Sequence, residues 1–113
     1  MSNDRKTSTE NGILRQMFRE AKSQGAELAI HNGYDDEYLS EFGGTEAGFI
    51  EAAREVDDVA VRVKTPSGKV RWLAWLVWGN EPYELVADAN ADLWEEKFPL
   101  TQAKIDKADL MEF

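Results

Sequence analysis

The residues of this chain with the capacity for chemistry are carboxylates, indoles and one imidazole. His31 is the single histidine, and Asp35 and Asp36 follow it closely. Imidazole beside carboxylate is the raw material of an acid–base or metal site. No second histidine exists to complete an HExxH pair, and adjacent Asp35 and Asp36 point different ways in any regular element. His31 is therefore read as a structural or exposed side chain. Asp88-Ala89-Asn90-Ala91-Asp92 sets oxygens at alternate positions as the start of a calcium loop does. Its sixth position is Leu93 and its twelfth is Pro99, where an EF-hand needs glycine and a bidentate glutamate. Gly43-Gly44-Thr45 opens a helix whose N-terminus has the dipole to hold an anion, but glutamates surround it. With no cysteine there is no disulfide, thiolate zinc site or thiol nucleophile. GxSxG, P-loop and GxGxxG patterns are lacking, and nothing selects a catalytic pair among the 22 acids. The expectation is a protein without catalytic, cofactor-binding or metal-binding residues. An enzyme working through carboxylates is the third-ranked reading.

The adhesive residues are more informative. Val70–Trp78, VRWLAWLVW, holds three of the four tryptophans and stops at Gly79-Asn80. Alternation places Leu73, Trp75 and Val77 on one face of such a strand, and Val70, Trp72, Ala74, Leu76 and Trp78 on the other. The second face is expected to share Arg62, Lys64 and Tyr83, with Arg62 opposite Trp72. Trp, Tyr and Arg are the types that dominate binding hot spots, and a guanidinium stacks well on indole. Core packing explains the same aromatics without a partner.

Charge is segregated along the chain. Residues 32–58 carry nine acids against Arg54 alone, 59–80 carry four cations and no acid, and 81–113 carry nine acids and three lysines. Asp35, Asp36, Glu37, Glu41, Glu46, Glu51, Glu55, Asp57 and Asp58 are candidates for a surface that imitates nucleic-acid phosphates and seats in a basic groove. A solvated face that keeps a small protein dispersed is the plainer account. A net charge of −9 argues against direct nucleic-acid binding.

Elements must position these groups. The 113 residues suffice for one domain with one core. Residues 1–10 read as a disordered polar tail and 11–113 as the domain. Asn11 caps a helix to about Gln24, with Ile13, Leu14, Met17, Phe18 and Ala21 on one face and Gly25 at its end. Leu28–Ile30 has the alternation of a short extra strand. Asp35–Phe42 reads as a short helix with Tyr38, Leu39 and Phe42 inward. Thr45 caps a helix to about Val56. Val59, Val61 and Val63 alternate into a strand. Thr65–Lys69 reads as a type I turn with a glycine bulge at Gly68, and pairs Arg62 with Trp72 and Val61 with Leu73. Gly79-Asn80 turns the chain into a third strand, Pro82–Ala89, with Arg71 opposite Asp88. Asp92 and Glu95 frame a short helix, and Thr101 caps a last one. The expected class is α+β: a three-stranded antiparallel meander after two helices, followed by one or two short C-terminal helices.

Trp78-Gly79-Asn80-Glu81-Pro82-Tyr83-Glu84-Leu85-Val86-Ala87-Asp88, with Leu93 after it, resembles small proteins encoded by phages and plasmids. The resemblance covers about a fifth of the chain. It implies an α+β meander and a mobile-element origin, and it carries over no activity and no functional residue.

The start of the chain lacks the apolar core of a secretory signal. The longest apolar run, Trp72–Trp78, is far short of the ~20 residues that span a bilayer. The chain is thus read as cytoplasmic. The leading functional expectation is a small acidic protein-binding module: a mobile-element inhibitor of a host nucleic-acid enzyme. Its contacts would be Trp72, Trp78, Arg62, Tyr83, Asp35, Asp36, Glu37, Glu41, Glu51, Glu55 and Asp58. The expected partner is a basic nucleic-acid-binding protein, with no cofactor, nucleic acid or membrane. A subunit that self-associates as a homodimer through the sheet is the alternative.

Overall fold

A computed structural model describes residues 2–35 and 37–111. Helix α1 (Ser2–Ser23) leads into strand β1 (Glu27–Asn32), and α2 (Glu46–Ala53) follows a long loop. Strands β2 (Asp58–Lys64) and β3 (Val70–Val77) form a hairpin. A 3-10 turn, Pro82–Glu84, then precedes β4 (Val86–Ala89), α3 (Ala91–Lys97) and α4 (Pro99–Asp109). The sheet is antiparallel in the order β1-β2-β3-β4. The class is α+β, with four strands where three and a tentative fragment are expected: Leu28–Ile30 lies within a full strand paired to β2.

Helix α1 reaches back to Ser2 in place of the expected tail. Its polar turns are held from outside. The Arg54 guanidinium donates to Asn11 Oδ1 (2.7 and 3.0 Å), to the Thr7 carbonyl (3.3 Å) and to Glu10, while Lys6 pairs with Glu81 at 3.3 Å. Further along, Ile13, Leu14, Met17 and Ala21 are buried, as their spacing requires. Gly25 closes the helix at φ 74°. Thr45 caps α2 through its hydroxyl, which accepts from Gly48 N at 3.1 Å.

The β2–β3 turn forms as expected. Thr65 N donates to Lys69 O (2.9 Å), Gly68 N donates to Thr65 O (2.8 Å), and Gly68 is left-handed at φ 89°. Lys64–Val70, Val63–Arg71 and Arg62–Trp72 are paired, but Val61 faces Ala74. Leu73 is thus the extra residue of a β-bulge, and every side chain beyond it changes face. Leu73, Ala74 and Leu76 join Val59, Val61 and Val63 in the core. Trp75 turns outward with Trp72, contrary to the simple alternation that sets it among the valines. The bulge supplies the core with alanine and leucine where strict alternation would supply an indole.

The return strand is shorter than expected and in another register. Pro82 has no N–H for a ladder and starts a 3-10 turn instead. Trp75 therefore meets Asp88, Leu76 meets Val86, and the anticipated Arg71–Asp88 pair does not form. Asn90, rather than Asp92, caps α3 through its side chain. Pro99 begins α4, leaving Thr101 buried inside its first turn.

The core gathers residues from all four helices and the sheet's inner face. The helices contribute Ile13, Phe49, Leu93 and Ile105, among others, and the strands contribute the Val59, Val61 and Val63 side. The result is two layers, helices against one sheet face. No helix among the described residues is long and apolar enough to cross a membrane.

Candidate binding face

The other sheet face carries no helix. Strand register assigns to it Ala29 and His31 of β1, Asp58, Ala60, Arg62 and Lys64 of β2, Val70, Trp72 and Trp75 of β3, and Asp88 of β4. Ala29 and Ala60 form a buried floor, and the large side chains around them form the cover. Trp72 is 38% exposed and Val70 44%. A large aromatic on a helix-free face is the informative kind of exposure.

The loop after β1 completes this face. Residues 37–42 are not helical, against the short helix expected over Asp35–Phe42. The backbone of 37–40 instead runs beside β1: Asn32 N donates to Glu37 O at 2.8 Å, Leu39 N donates to Ile30 O at 2.8 Å, and His31 bridges Tyr38. Tyr38 thereby stands on the open face, 40% exposed, with its ring edge-on to His31 at 5.0 Å. The Arg62 guanidinium lies over the Tyr38 ring, 5.6 Å from its centroid, and donates to the phenol oxygen at 3.2 Å. Gly33 is needed for close approach, since a Cβ there would run into the six-membered ring of Trp75. Tyr34, 70% exposed, donates its hydroxyl proton to Asp58. Accepting that bond, the Asp58 carboxylate holds the phenol above its ordinary pKa of 10.0. Between His31, Tyr34, Asp35, Arg62, Trp72 and Trp75 lies a shallow cleft of about 400 Å³.

Both sheet edges are blunted. The 37–40 segment occupies the edge of β1, where Ser40 Oγ accepts from Ile30 N at 2.9 Å. At β4 the Ala89 N–H is taken by the Asp88 carboxylate at 2.9 Å. Edges protected in this way resist strand addition, so the sheet presents a face rather than an edge.

Of the expected contact residues, the structure brings together Trp72, Arg62, Asp35 and Asp58. It adds Trp75, Tyr38 and Tyr34. Trp75 was hidden by the bulge, which no local pattern marks, and Tyr38 by its assignment to a helix interior. Trp78 belongs elsewhere: its indole N–H donates to the Ala53 carbonyl at the end of α2 (2.7 Å), and Arg54 stacks on it at 4.3 Å. That pair lines a second cleft, about 460 Å³, with Lys6, Glu10, Asp57 and Asn80. Burial raises the Glu10 carboxyl above its usual 4.5, against the pull of Arg54. Tyr83 is also displaced. It sits on the 3-10 turn that packs against α1 and α4, and a bond to Glu84 raises its phenol.

The acids of 32–58 are divided between the layers. Asp35 and Asp58 border the open face, while Glu37, opposite Asn32, falls on the other side of the segment from Tyr38. Glu46, Glu51 and Glu55 belong to α2 and the turn after it, in the helical layer, where Glu46 pairs with Arg19 (2.7 Å) and Arg15 (3.5 Å). Glu41 lies on the loop leading into α2, and Asp36 lies outside the described residues. Among the described residues, no group of three His, Cys, Asp or Glu side chains is placed to hold a metal. Comparison of the chain with family models, curated proteins and solved structures gives no match.

Proposed function

We propose that this chain is a small acidic protein-binding module, without enzymatic activity, that meets its partner through the helix-free sheet face. One observation carries the reading: Trp72, Trp75, Tyr38 and Arg62 converge on a floor of alanine with no helix packed over them. Aromatic and arginine side chains around a small-residue floor provide contact area at low entropic cost. Asp35 and Asp58 form an acidic border that would select and orient a partner. The division of the acids between two layers favours this aromatic face over a phosphate-imitating surface that uses Glu41, Glu51 and Glu55.

The test is affinity capture from cell extract, comparing the wild type with Trp72→Ala, Arg62→Ala and a Glu51→Gln/Glu55→Gln control. Capture that falls at least tenfold with the first two and survives in the control supports the open face. Capture that ignores Trp72 and Arg62 but fails in the control transfers the site to α2. If the captured protein is then a basic nucleic-acid enzyme released by salt, the function is that of a mobile-element inhibitor.

A further inference from the structure

We infer that the open face takes an extended segment of its partner, with one internal aspartate or glutamate seated on Arg62 and an apolar residue on each side of it. This rests on the open face being the binding surface and names the chemistry it selects. The argument starts from an arginine without a counter-charge. The chain holds 22 acids against 13 bases, and Arg15, Arg19 and Arg54 all pair with glutamates. Arg62 is half-buried, yet it pairs with no carboxylate among the described residues. Its partner is the neutral Tyr38, which accepts one N–H at the phenol oxygen and lies under the guanidinium. The planar fork carries five N–H donors, and a carboxylate takes two of them at once.

The acids of the same face do not supply that carboxylate. Asp58 accepts from the Tyr34 hydroxyl, Asp35 from Glu37 N at 2.9 Å, and Asp88 from Ala89 N at 2.9 Å. The Glu27 carboxylate lies beside Gly43, where a Cβ would meet it at 2.6 Å. Strand register also sets these acids off centre. Glu27 shares a row with Lys64 and Val70, one row before Arg62, and there the two opposite charges offset each other. Asp88 shares the row of Ala60 and Trp75, one row after Arg62, and Asp58 lies one row further. The face thus has one cationic centre between acidic ends. A single carboxylate fits that centre. A run of phosphates would meet the acids at both ends, on top of the net charge of −9.

The rows also set the spacing of the segment. Val70, Trp72 and Trp75 stand in successive rows, with Arg62 beside Trp72 in the middle one. Successive rows of β2 are about 6.6 Å apart, which is also the spacing of alternate side chains in an extended peptide. A strand-like segment laid along β2 therefore puts one apolar side chain over Val70, its acid on Arg62, and a second apolar side chain over Ala60 beside Trp75. The buried Ala29 and Ala60 floor leaves room for it. A chain terminus seated on Arg62 would leave Val70 or Trp75 uncovered, which selects an internal acidic residue.

Nuclear magnetic resonance titration of the purified chain with a capped peptide, acetyl-Gly-Leu-Ser-Glu-Ser-Leu-Gly-amide, tests this. Its comparisons are the same peptide with glutamine for the glutamate, acetyl-Gly-Leu-Ser-Leu with a free C-terminal carboxylate, and single-stranded oligothymidylate. The acidic peptide should shift the Trp72 and Trp75 indole signals and the Arg62 guanidinium signal at up to about 1 mM, and the glutamine peptide should bind at least tenfold more weakly. Arg62→Gln, with circular dichroism reporting the fold, should erase the difference between those two peptides. Equal binding of the two, a wild type that binds neither, or a difference that persists in Arg62→Gln would each overturn the acidic segment. Tighter binding of the free terminus or of the oligothymidylate overturns it as well. Should Arg62→Gln misfold, the two peptides on the wild type still decide. Peptide failure with partner capture that still depends on Trp72 refutes the acidic segment alone, whereas failure with Trp72-independent capture refutes the binding face too.

Discussion

Glu20 shows how far a single carboxylate can reach in this fold. It is 4% exposed on α1, and it accepts from Thr101 N (2.8 Å), Thr101 Oγ1 (2.7 Å) and Leu100 N (2.9 Å) at the start of α4. These are N–H groups that a helix cannot satisfy by itself, and a carboxylate there also meets the positive end of the helix dipole. Glu20→Ala leaves these donors without their buried acceptor, and should cost about 2–4 kcal/mol in urea unfolding. Glu20→Gln, which keeps an acceptor oxygen, should cost less. A second residue-scale expectation concerns Tyr34. Because Asp58 favours the protonated phenol, the folded chain holds that proton to higher pH than the unfolded chain does. The contribution is present below pH 10 and is lost as pH rises through the elevated value. Phenolate absorbance should show Tyr34 titrating above 10, and Asp58→Asn should bring it back toward 10. An unchanged titration would mean the bond to Asp58 is absent in solution.

Elements differ in how openly the sequence announces them. The valine alternation of β2, the Pro-Ser-Gly turn and the apolar stripe of α1 are local patterns, and each forms where expected. The β3 bulge is not local. It arises because the core requires Ala74 and Leu76 inward, and that requirement resides in the helices packed on them. The first turns of α1 are not legible for the same reason: polar residues 2–10 have no apolar stripe, and their anchor, Arg54, is more than forty residues away. The open face was half legible for this reason. Trp72 opposite Arg62 follows from turn geometry, but Trp75 and Tyr38 needed the bulge and the strand-like loop. The anchor makes a prediction for the whole segment. Arg54→Ala removes bonds to Thr7, Glu10 and Asn11 together with the stack on Trp78. Hydrogen exchange at residues 5–11 should accelerate at least tenfold, while amides at Leu14–Ala21 stay protected by the core. Arg54→Lys should not rescue the segment, because a single ammonium cannot reproduce the guanidinium fork or its stacking.

At the scale of the whole molecule, the two-layer arrangement sorts four indoles into two populations. Trp94 is buried among the helices, stacked on Phe98 at 5.5 Å and bonded to Gln102. Trp78 is held on the helical side by Ala53 and Arg54. Trp72 and Trp75 stand on the open face. The same asymmetry explains why a chain with this aromatic content needs protected edges and a net charge of −9: repulsion opposes indiscriminate contact through a face that is itself adhesive. Acrylamide, a neutral quencher, should therefore reach Trp72 most readily, the half-buried Trp75 and Trp78 less, and Trp94 least. Trp72→Phe should remove much of the quenchable emission, and Trp94→Phe should remove mainly the shielded part. Occupation of the open face should protect the Trp72 and Trp75 signal and leave the Trp78 and Trp94 signal as it was. Protection that appears instead at Trp78 would place contact at the Arg54 cleft, because the two populations lie on different layers and one occupant of the sheet face does not cover both.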